Sequence, residues 1–236
     1  ILMKTLHLPT LFLTAAAVAM AQFPGLTLPP SGNNQRASVT QFIGPVSVTI
    51  EYSSPAVHGP DGKDRRGQIW GKLVPYGMTN LGFGNGKPGP WRAGANENTV
   101  FAVSHDVLVQ GKRLPAGRYG LHMMAGEGDW TLIFSKNSTS WGSFFYEESE
   151  DALRVTAKPK KHEYREWLTY EFTERKPEEA AVEMQWEDLA LPWKVQVDKI
   201  NEVYYTKLSE ELRTVPGFGY QGYVQGINFL VQNDLH

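Results

Sequence analysis

The 236-residue sequence contains no cysteine. Disulfide bonds, thiol nucleophiles and thiolate metal ligands are therefore excluded, and so is a lipid-modified N-terminal cysteine. The sequence also lacks an excess of positive charge, because 23 lysine and arginine residues are balanced by 25 acidic residues. Since a nucleic-acid-binding protein needs a concentrated basic surface, we expect no nucleic-acid partner.

The signatures of several common catalytic sites are also missing. No His-x-His or His-Glu-x-x-His spacing occurs among the six histidines, so no metal site is indicated. There is no Gly-x-Ser-x-Gly nucleophile elbow. In the glycine-rich stretch 82–90, Leu81 and Pro88 occupy the positions where a phosphate-binding loop requires glycine and Ser or Thr. We therefore predict no metal and no cofactor, and the sequence leaves enzymatic activity open.

No apolar run is long enough for a good transmembrane helix. The longest, residues 6–18, is short and is interrupted by Pro9. Lys4 precedes this run and the small-x-small sequence Ala19-Met20-Ala21 follows it, an order typical of a secretory signal peptide. We predict a signal peptide over residues 1–21 and a secreted or periplasmic protein that leaves the membrane after cleavage. The alternative is a retained N-terminal anchor.

Beyond the signal peptide, the sequence predicts a flexible leader and then a β domain. Residues 22–37 are rich in Pro, Gly, Ser and Asn and show no periodicity. From Ser38 onward, alternation of apolar and polar residues predicts strands, most clearly at 46–52. The other predicted strands are 68–74, 99–104, 106–114, 118–124, 130–135, 153–158, 166–173, 181–186 and 193–197.

These segments together predict the fold class. About ten short strands with little helical periodicity indicate an all-β antiparallel sandwich or flattened barrel over residues 38–197. The pattern does not give the strand order. It does suggest that 106–114 and 118–124 pair as a hairpin, because only Pro115-Ala116-Gly117 separates them.

The pattern becomes helical over residues 198–236. Apolar residues from Ile200 to Leu212 recur near a period of 3.6, and Asp198 is placed to cap this helix. Pro216-Gly217 ends it, and residues 220–231 predict a second helix. A lone helical hairpin seldom buries its apolar face. We therefore expect either packing on the sandwich or, as the favoured interpretation, further helices beyond a truncation at His236.

Several ordered motifs resemble the DUF2911 family of exported bacterial proteins. These motifs are residues 51–55, 71–77, 91–97 and 111–119, together with Trp130 and Trp141-Gly142. The resemblance covers residues 38–197 and implies a β-rich exported domain of uncharacterised function. Longer family members carry tetratricopeptide-like helices after this domain, which implies that 220–236 is the start of such a region. The sequence departs from the family pattern in a longer loop between Pro55 and Gly71 and an insertion at 78–90, which flank the 91–97 motif.

The motif Trp91–Thr99 concentrates side chains able to bind a polar ligand. Arg92 offers a fixed fork of donors, Asn96 both donates and accepts, and Glu97 accepts or acts as an acid or base. Tyr52 and His122, both on predicted strands, complete the set of candidate ligand-binding residues with Trp91.

The same motif also has a purely structural interpretation. Arg92 and Glu97 would then pair with each other or with the backbone, and Gly94 would supply an unusual backbone angle. Among the tryptophans, Trp91 and Trp141 lie beside turns and are expected to be exposed, whereas most of the others are expected in the core.

Three functions remain open at this stage. The first is an exported domain that binds a small polar ligand, a carbohydrate or an envelope component. The second is a hydrolase that uses Glu97, Arg92 and a histidine. The third is a structural or assembly module that binds a protein partner through its C-terminal helices.

Overall fold

The computed structural model describes residues 34–235. The predicted signal peptide and all of the predicted leader before residue 34 lie outside the described residues. The described chain forms two antiparallel sheets, which confirms the all-β prediction. One sheet has six strands in the order β1-β2-β3-β6-β7-β8, and the other has four in the order β5-β4-β10-β9.

The ten strands and two helices of the described chain alternate with short connections and longer loops. Their bounds are β1 (Gln35–Ile43), β2 (Val46–Ser54), β3 (Thr99–Val103), β4 (Val107–Val109), β5 (Lys112–Leu114), β6 (Gly117–Met124), β7 (Trp130–Ser135), β8 (Asp151–Ala157), β9 (Lys160–Thr173), β10 (Glu179–Gln196), α1 (Ile200–Glu211) and α2 (Tyr220–Gln232). Strand β1 thus starts within the predicted leader, at Gln35.

The apolar alternation in the sequence sets which face of each sheet is buried. In β2, Val46, Val48 and Ile50 are fully buried while the residues between them are partly exposed. The inner faces of both sheets meet in one core, to which the six-stranded sheet contributes Leu121 and the four-stranded sheet Leu168. This is the arrangement expected when two sheets bury their apolar faces against each other.

The prediction of a strand at 68–74 was wrong. The segment folds back on itself, because Val74 N–H donates to Ile69 O at 2.8 Å and Leu73 N–H donates to Gln68 O at 3.0 Å. Gly71 adopts φ +78, a left-handed angle that glycine tolerates at little cost. Ile69 and Val74 are buried by this compact turn while Leu73 stays exposed, so the spacing of the apolar residues does not reflect strand alternation.

The predicted hairpin between 106–114 and 118–124 was also wrong. The chain turns earlier, at Gln110 and Gly111, whose φ angles of 49 and 75 suit a two-residue hairpin loop. This turn pairs β4 with β5, with Val109 opposite Lys112. Strand β6 instead lies between β3 and β7 in the other sheet.

Two other strands are longer than the sequence indicated. The predicted strands 181–186 and 193–197 belong to one strand, β10, which continues through register shifts between Gln185 and Leu189. Glu187 lies at this irregularity with φ +57, so the apolar alternation is interrupted there although the strand is not. Its partner β9 begins at Lys160, before the predicted start at residue 166.

The two predicted C-terminal helices are present, but the predicted cap is not. Lys199 precedes α1 in a left-handed conformation, and no side chain caps the helix. Helix α1 packs on the core through Ile200 and its neighbours, and Tyr204 contacts Phe229 of α2 with ring centroids 5.3 Å apart. Neither helix within residues 34–235 is long and apolar enough to cross a membrane.

Candidate functional site

The segment Trp91–Thr99 is held between the second and sixth strands. Trp91 and Met123 of β6 exchange two backbone hydrogen bonds, of 2.9 and 2.8 Å. On the other side, Ala95 N–H donates to Ser53 O of β2 at 3.0 Å. Thr99 then begins β3. The segment is therefore a rigid corner of the six-stranded sheet.

The corner bends at Ala93 and Asn96 rather than at Gly94. These two residues have φ angles of 56 and 58. Ala93 O accepts hydrogen bonds from Thr99 Oγ1 at 3.0 Å and from the buried Tyr170 hydroxyl at 2.6 Å, which hold the bend. Gly94 is needed for a different reason, since a Cβ there would lie 2.7 Å from Thr99 Oγ1.

Arg92 is fixed on one side of this corner. Its Nη1 donates to Asn96 O at 2.6 Å, and its Cζ lies 4.5 Å from the centre of the Phe144 ring, a cation–π distance. A Cβ on Gly142 would lie 2.2 Å from Arg92 Cζ, so the guanidinium rests directly against that glycine. Partial burial lowers the pKa of Arg92.

Of the two pairings that the structural interpretation allowed, Arg92 makes the one with the backbone, at Asn96 O, and the ion pair between Arg92 and Glu97 is not formed. Glu97 points to the opposite side, where it accepts from Ser53 Oγ at 3.1 Å and lies 3.9 Å from Arg36. Asn96 Oδ1 accepts from Nδ2 of Asn34, a cavity-lining residue, at 3.0 Å. Trp91 and Arg92 therefore line the cavity directly, whereas Asn96 and Glu97 do not.

A cavity of about 290 Å³ lies beside Trp91 and Arg92. The loop between β2 and the motif supplies much of its wall, including residues of both segments that we predicted to depart from the family pattern. The apolar lining side chains include Leu73, Leu81, Phe83, Trp91, Phe144 and Trp186, and the polar ones include Arg65, Lys87, Arg92 and Ser143. Three cations and no carboxylate thus line the cavity among the described residues.

Two of these cations lack a carboxylate partner in the part of the chain that the structure describes. Arg92 donates to a backbone carbonyl, as described above. Arg65 does the same, with Nε 3.0 Å from Val57 O and Nη2 2.7 Å from Ala56 O. Lys87, in contrast, pairs with Glu147 at 2.7 Å. The cavity lining therefore carries positive charge that is only partly neutralised, by the pairing of Lys87 with Glu147.

The base of the cavity belongs to a tryptophan cluster. Trp91 and Trp186 are nearly parallel, with ring centroids 6.3 Å apart and planes 16° apart. Trp70 packs edge-on against both, at 5.8 and 5.6 Å. Trp186 is buried and Trp91 is half-buried, whereas the predicted exposure of Trp141 is confirmed.

Tyr52 and His122 lie outside the cavity lining. Tyr52 is buried in the core, where it packs edge-on against Tyr170 and its hydroxyl accepts from Tyr170 N–H at 3.3 Å. His122, 2% exposed, has its Nδ1 2.7 Å from the hydroxyl oxygen of Ser143, a residue that lines the cavity. Burial lowers the pKa of His122 to about 4, with a further contribution from Arg92, so its imidazole is neutral at pH 7.

Of the candidates from sequence, only Trp91 and Arg92 line the cavity, and the lining residues that sequence reasoning missed include Arg65, Lys87, Ser143 and Phe144. Arg65 and Lys87 lie in loops whose turn-forming composition gave no indication of a site. For Ser143 and Phe144, the one available signal was the neighbouring pair Trp141-Gly142, already noted among the family motifs. Within residues 34–235, no group of three or more His, Asp or Glu side chains is placed to hold a metal ion.

Comparison with known proteins gives one family and no further relative. The family model described as "Protein of unknown function (DUF2911)" matches residues 34–195. No curated protein and no solved structure matches the chain.

Proposed function

The chain belongs to the DUF2911 family, whose function is unknown, and from that premise we propose that the domain binds a small ligand in the cavity beside Trp91. The ligand we propose carries an anionic group, such as a carboxylate, on an apolar body. One observation carries this proposal: the cavity lining contains three cations and no carboxylate. The guanidinium of Arg92 presents a planar fork of donors that suits a carboxylate.

The remainder of the lining supports an apolar body for the ligand. Small-molecule sites are concave and mostly apolar, with a few placed polar groups, and the smallest have volumes of about 300 Å³. Here the Phe144 ring lies against the guanidinium, Trp91 also lines the cavity, and Leu73 and Phe83 are lining residues that remain exposed. A short acyl or aryl acid is the ligand class that matches this distribution. This ligand class is narrower than the range expected from the sequence, which included small polar ligands, carbohydrates and envelope components.

We expect octanoate and 4-phenylbutyrate to bind the domain, and octan-1-ol to bind more weakly because it lacks the charge. Replacing Arg92 by glutamine should weaken octanoate binding by about 10-fold or more, since a hydrogen bond to a charged group contributes about 1.5–3 kcal/mol. Isothermal titration calorimetry measures each affinity.

Arg113→Gln is the matched control for this substitution. Arg113 is an exposed arginine that pairs with Asp106 away from the cavity, so its loss should leave octanoate binding unchanged. The proposal that the Arg92 guanidinium binds the anionic group would be wrong if Arg92→Gln bound octanoate as tightly as the unmodified domain. It would also be wrong if octan-1-ol bound as tightly as octanoate.

We also propose that the domain acts outside the cytoplasm. The support is the order of Lys4, the apolar run 6–18 and Ala19-Met20-Ala21 in the sequence. Cell fractionation with N-terminal sequencing tests it, since the exported form should begin at Gln22. A cytoplasmic product that keeps residues 1–21 would contradict export.

An assembly role through α2 is a second candidate, favoured by the exposure of that helix. Val215–Asn233 contains no charged residue, and Ile227 is 58% exposed on a stripe with Tyr220, Val224 and Val231. A face without charge lets two copies of the chain pack without electrostatic repulsion, so the partner we propose is a second copy.

We expect Ile227→Glu to shift a dimer to monomer in size-exclusion chromatography with light scattering, because the new carboxylate would be desolvated in the interface. Gln225→Glu adds the same charge on the other side of the helix and should leave the dimer intact. A chain that is monomeric without substitution at high concentration rules out this role.

A further inference from the structure

Ser143 and His122 form a hydroxyl–imidazole pair at the edge of the cavity. Ser143 Oγ lies 2.7 Å from His122 Nδ1, within the distance at which a base accepts a proton from a nucleophile. Ser143 is partly accessible and lines the cavity, whereas His122 is buried behind it. The hydroxyl is therefore placed between the ligand space and the base.

The buried surroundings hold the imidazole in place. Its ring lies 5.4 Å from the ring of Tyr146, in an edge-on contact. Gly120 leaves room for the ring. A Cβ on this residue would lie 3.2 Å from His122 Nε2, 2.8 Å from Asn98 Nδ2 and 2.3 Å from Asn137 O. Asn98 Oδ1 is buried and accepts no hydrogen bond within the described residues. For Nδ1 to accept the serine proton, the neutral imidazole must carry its own proton on Nε2.

A positive charge lies next to the same serine. The Arg92 guanidinium rests against Gly142 and over the Phe144 ring, the two residues that flank Ser143 in the chain. Its charge also acts on His122 and contributes to keeping that imidazole neutral. A fixed cation beside a nucleophile stabilises negative charge that develops on a substrate oxygen.

We propose that Ser143 is a nucleophile and His122 its general base, and that the pair hydrolyses a carboxylic ester bound in the cavity. This inference rests on the proposed function only in needing the cavity to admit the acyl group. Ser143 Oγ attacks the carbonyl carbon as its proton passes to His122 Nδ1. The ester C–O bond then breaks, and the leaving alkoxide takes that proton as the alcohol. Water next attacks the acyl-serine and gives a proton to Nδ1, which returns it to Ser143 as the carboxylic acid leaves.

The chain provides an internal comparison for this pair. Ser104 Oγ lies 2.9 Å from His105 Nδ1, so the same two groups meet at a similar distance on an exposed turn. Neither residue lines the cavity, and no guanidinium contact accompanies them. A hydroxyl–imidazole contact alone would make the two serines equally reactive, whereas our proposal assigns reactivity to Ser143.

The test uses a fluorophosphonate probe, which transfers its phosphonyl group to an activated serine as the P–F bond breaks and HF leaves. Intact-mass and peptide mass spectrometry should find one adduct, on Ser143, in the unmodified chain and in Ser104→Ala. Ser143→Ala should give no adduct and should lose hydrolysis of 4-nitrophenyl octanoate. His122→Gln should slow both reactions by about 100-fold or more, the usual contribution of a general base.

Octanoate titration of the same samples separates this inference from the binding proposal. If the folded unmodified chain binds octanoate but forms no adduct on Ser143, the assignment of Ser143 as a nucleophile is wrong. The binding proposal is unaffected by that result. Equal labelling of Ser143→Ala and the unmodified chain overturns it as well. If His122→Gln does not fold, Ser143→Ala decides alone, because a serine-to-alanine change at a partly accessible position leaves the packing in place.

Discussion

Replacing Trp186 by alanine should destabilise the domain by about 3–5 kcal/mol, the range for removing a large buried aromatic side chain. Trp186 is 1% exposed and packs against both Trp70 and Trp91, so alanine would leave a void that these two rings cannot close. Because Trp186 also lines the cavity, the same change should enlarge that cavity and weaken octanoate binding. Urea unfolding followed by circular dichroism gives the free energy of unfolding.

Two further substitutions sharpen this result. Trp141 is 50% exposed, so Trp141→Ala should change the free energy of unfolding by no more than about 0.5 kcal/mol. Trp186→Phe should cost less than Trp186→Ala, because it keeps an aromatic ring and removes an indole N–H that is buried without an acceptor in the described chain. Similar losses for Trp141→Ala and Trp186→Ala would show that the cluster does not support the core.

Gly142→Ala should weaken octanoate binding by about 10-fold, the effect of losing one charged hydrogen bond. Gly142 has φ +63, and a Cβ at this position would lie 2.2 Å from Arg92 Cζ. The guanidinium would have to leave the Phe144 ring, and with it the position that we assign to anion binding. Calorimetric titration with octanoate measures the loss, and urea unfolding measures the accompanying change in stability.

Gly111→Ala is the control for the backbone strain that Gly142→Ala introduces. Gly111 has φ +75, but a Cβ there meets no atom within 4 Å. Both alanine variants should therefore lose about 1–2 kcal/mol of stability from the left-handed backbone, and only Gly142→Ala should lose affinity. If the two variants bind octanoate equally well, contact with Gly142 does not position Arg92.

The fold was predictable from the sequence where the apolar alternation arises from a strand with one face buried in the core. In β2, every second residue faces the core, so its alternation identifies the strand directly. At 68–74 a turn buries Ile69 and Val74, and the apolar pattern alone cannot distinguish such a turn from a strand. In β10, the positive φ of Glu187 shifts the pattern and divides one strand into two apparent ones.

The candidate site was only partly predictable for a related reason. Trp91, Arg92, Asn96 and Glu97 are close in sequence, which suggested a single polar cluster. The first two line the cavity and the last two do not. The backbone adopts left-handed angles at Ala93 and Asn96, and an alanine in the sequence does not indicate such an angle.

The remaining part of the site depends on contacts between distant segments. The partner of His122 is Ser143, which is separated from it by β7 and the following loop. No local pattern in the sequence connects the two residues. Sheet pairing and the path of that loop bring them together.

Much of the cavity wall is formed by loops, and loops can change in length and sequence more easily than strands. Both segments that we predicted to depart from the family pattern are loops, and they contribute Arg65, Leu81, Phe83 and Lys87 to the lining. Doubling the length of a flexible loop costs only about 0.6 kcal/mol in closure entropy. If the cavity binds a ligand as we propose, we expect changes in these loops to alter ligand preference at little cost to the stability of the sheets and the Arg92 corner.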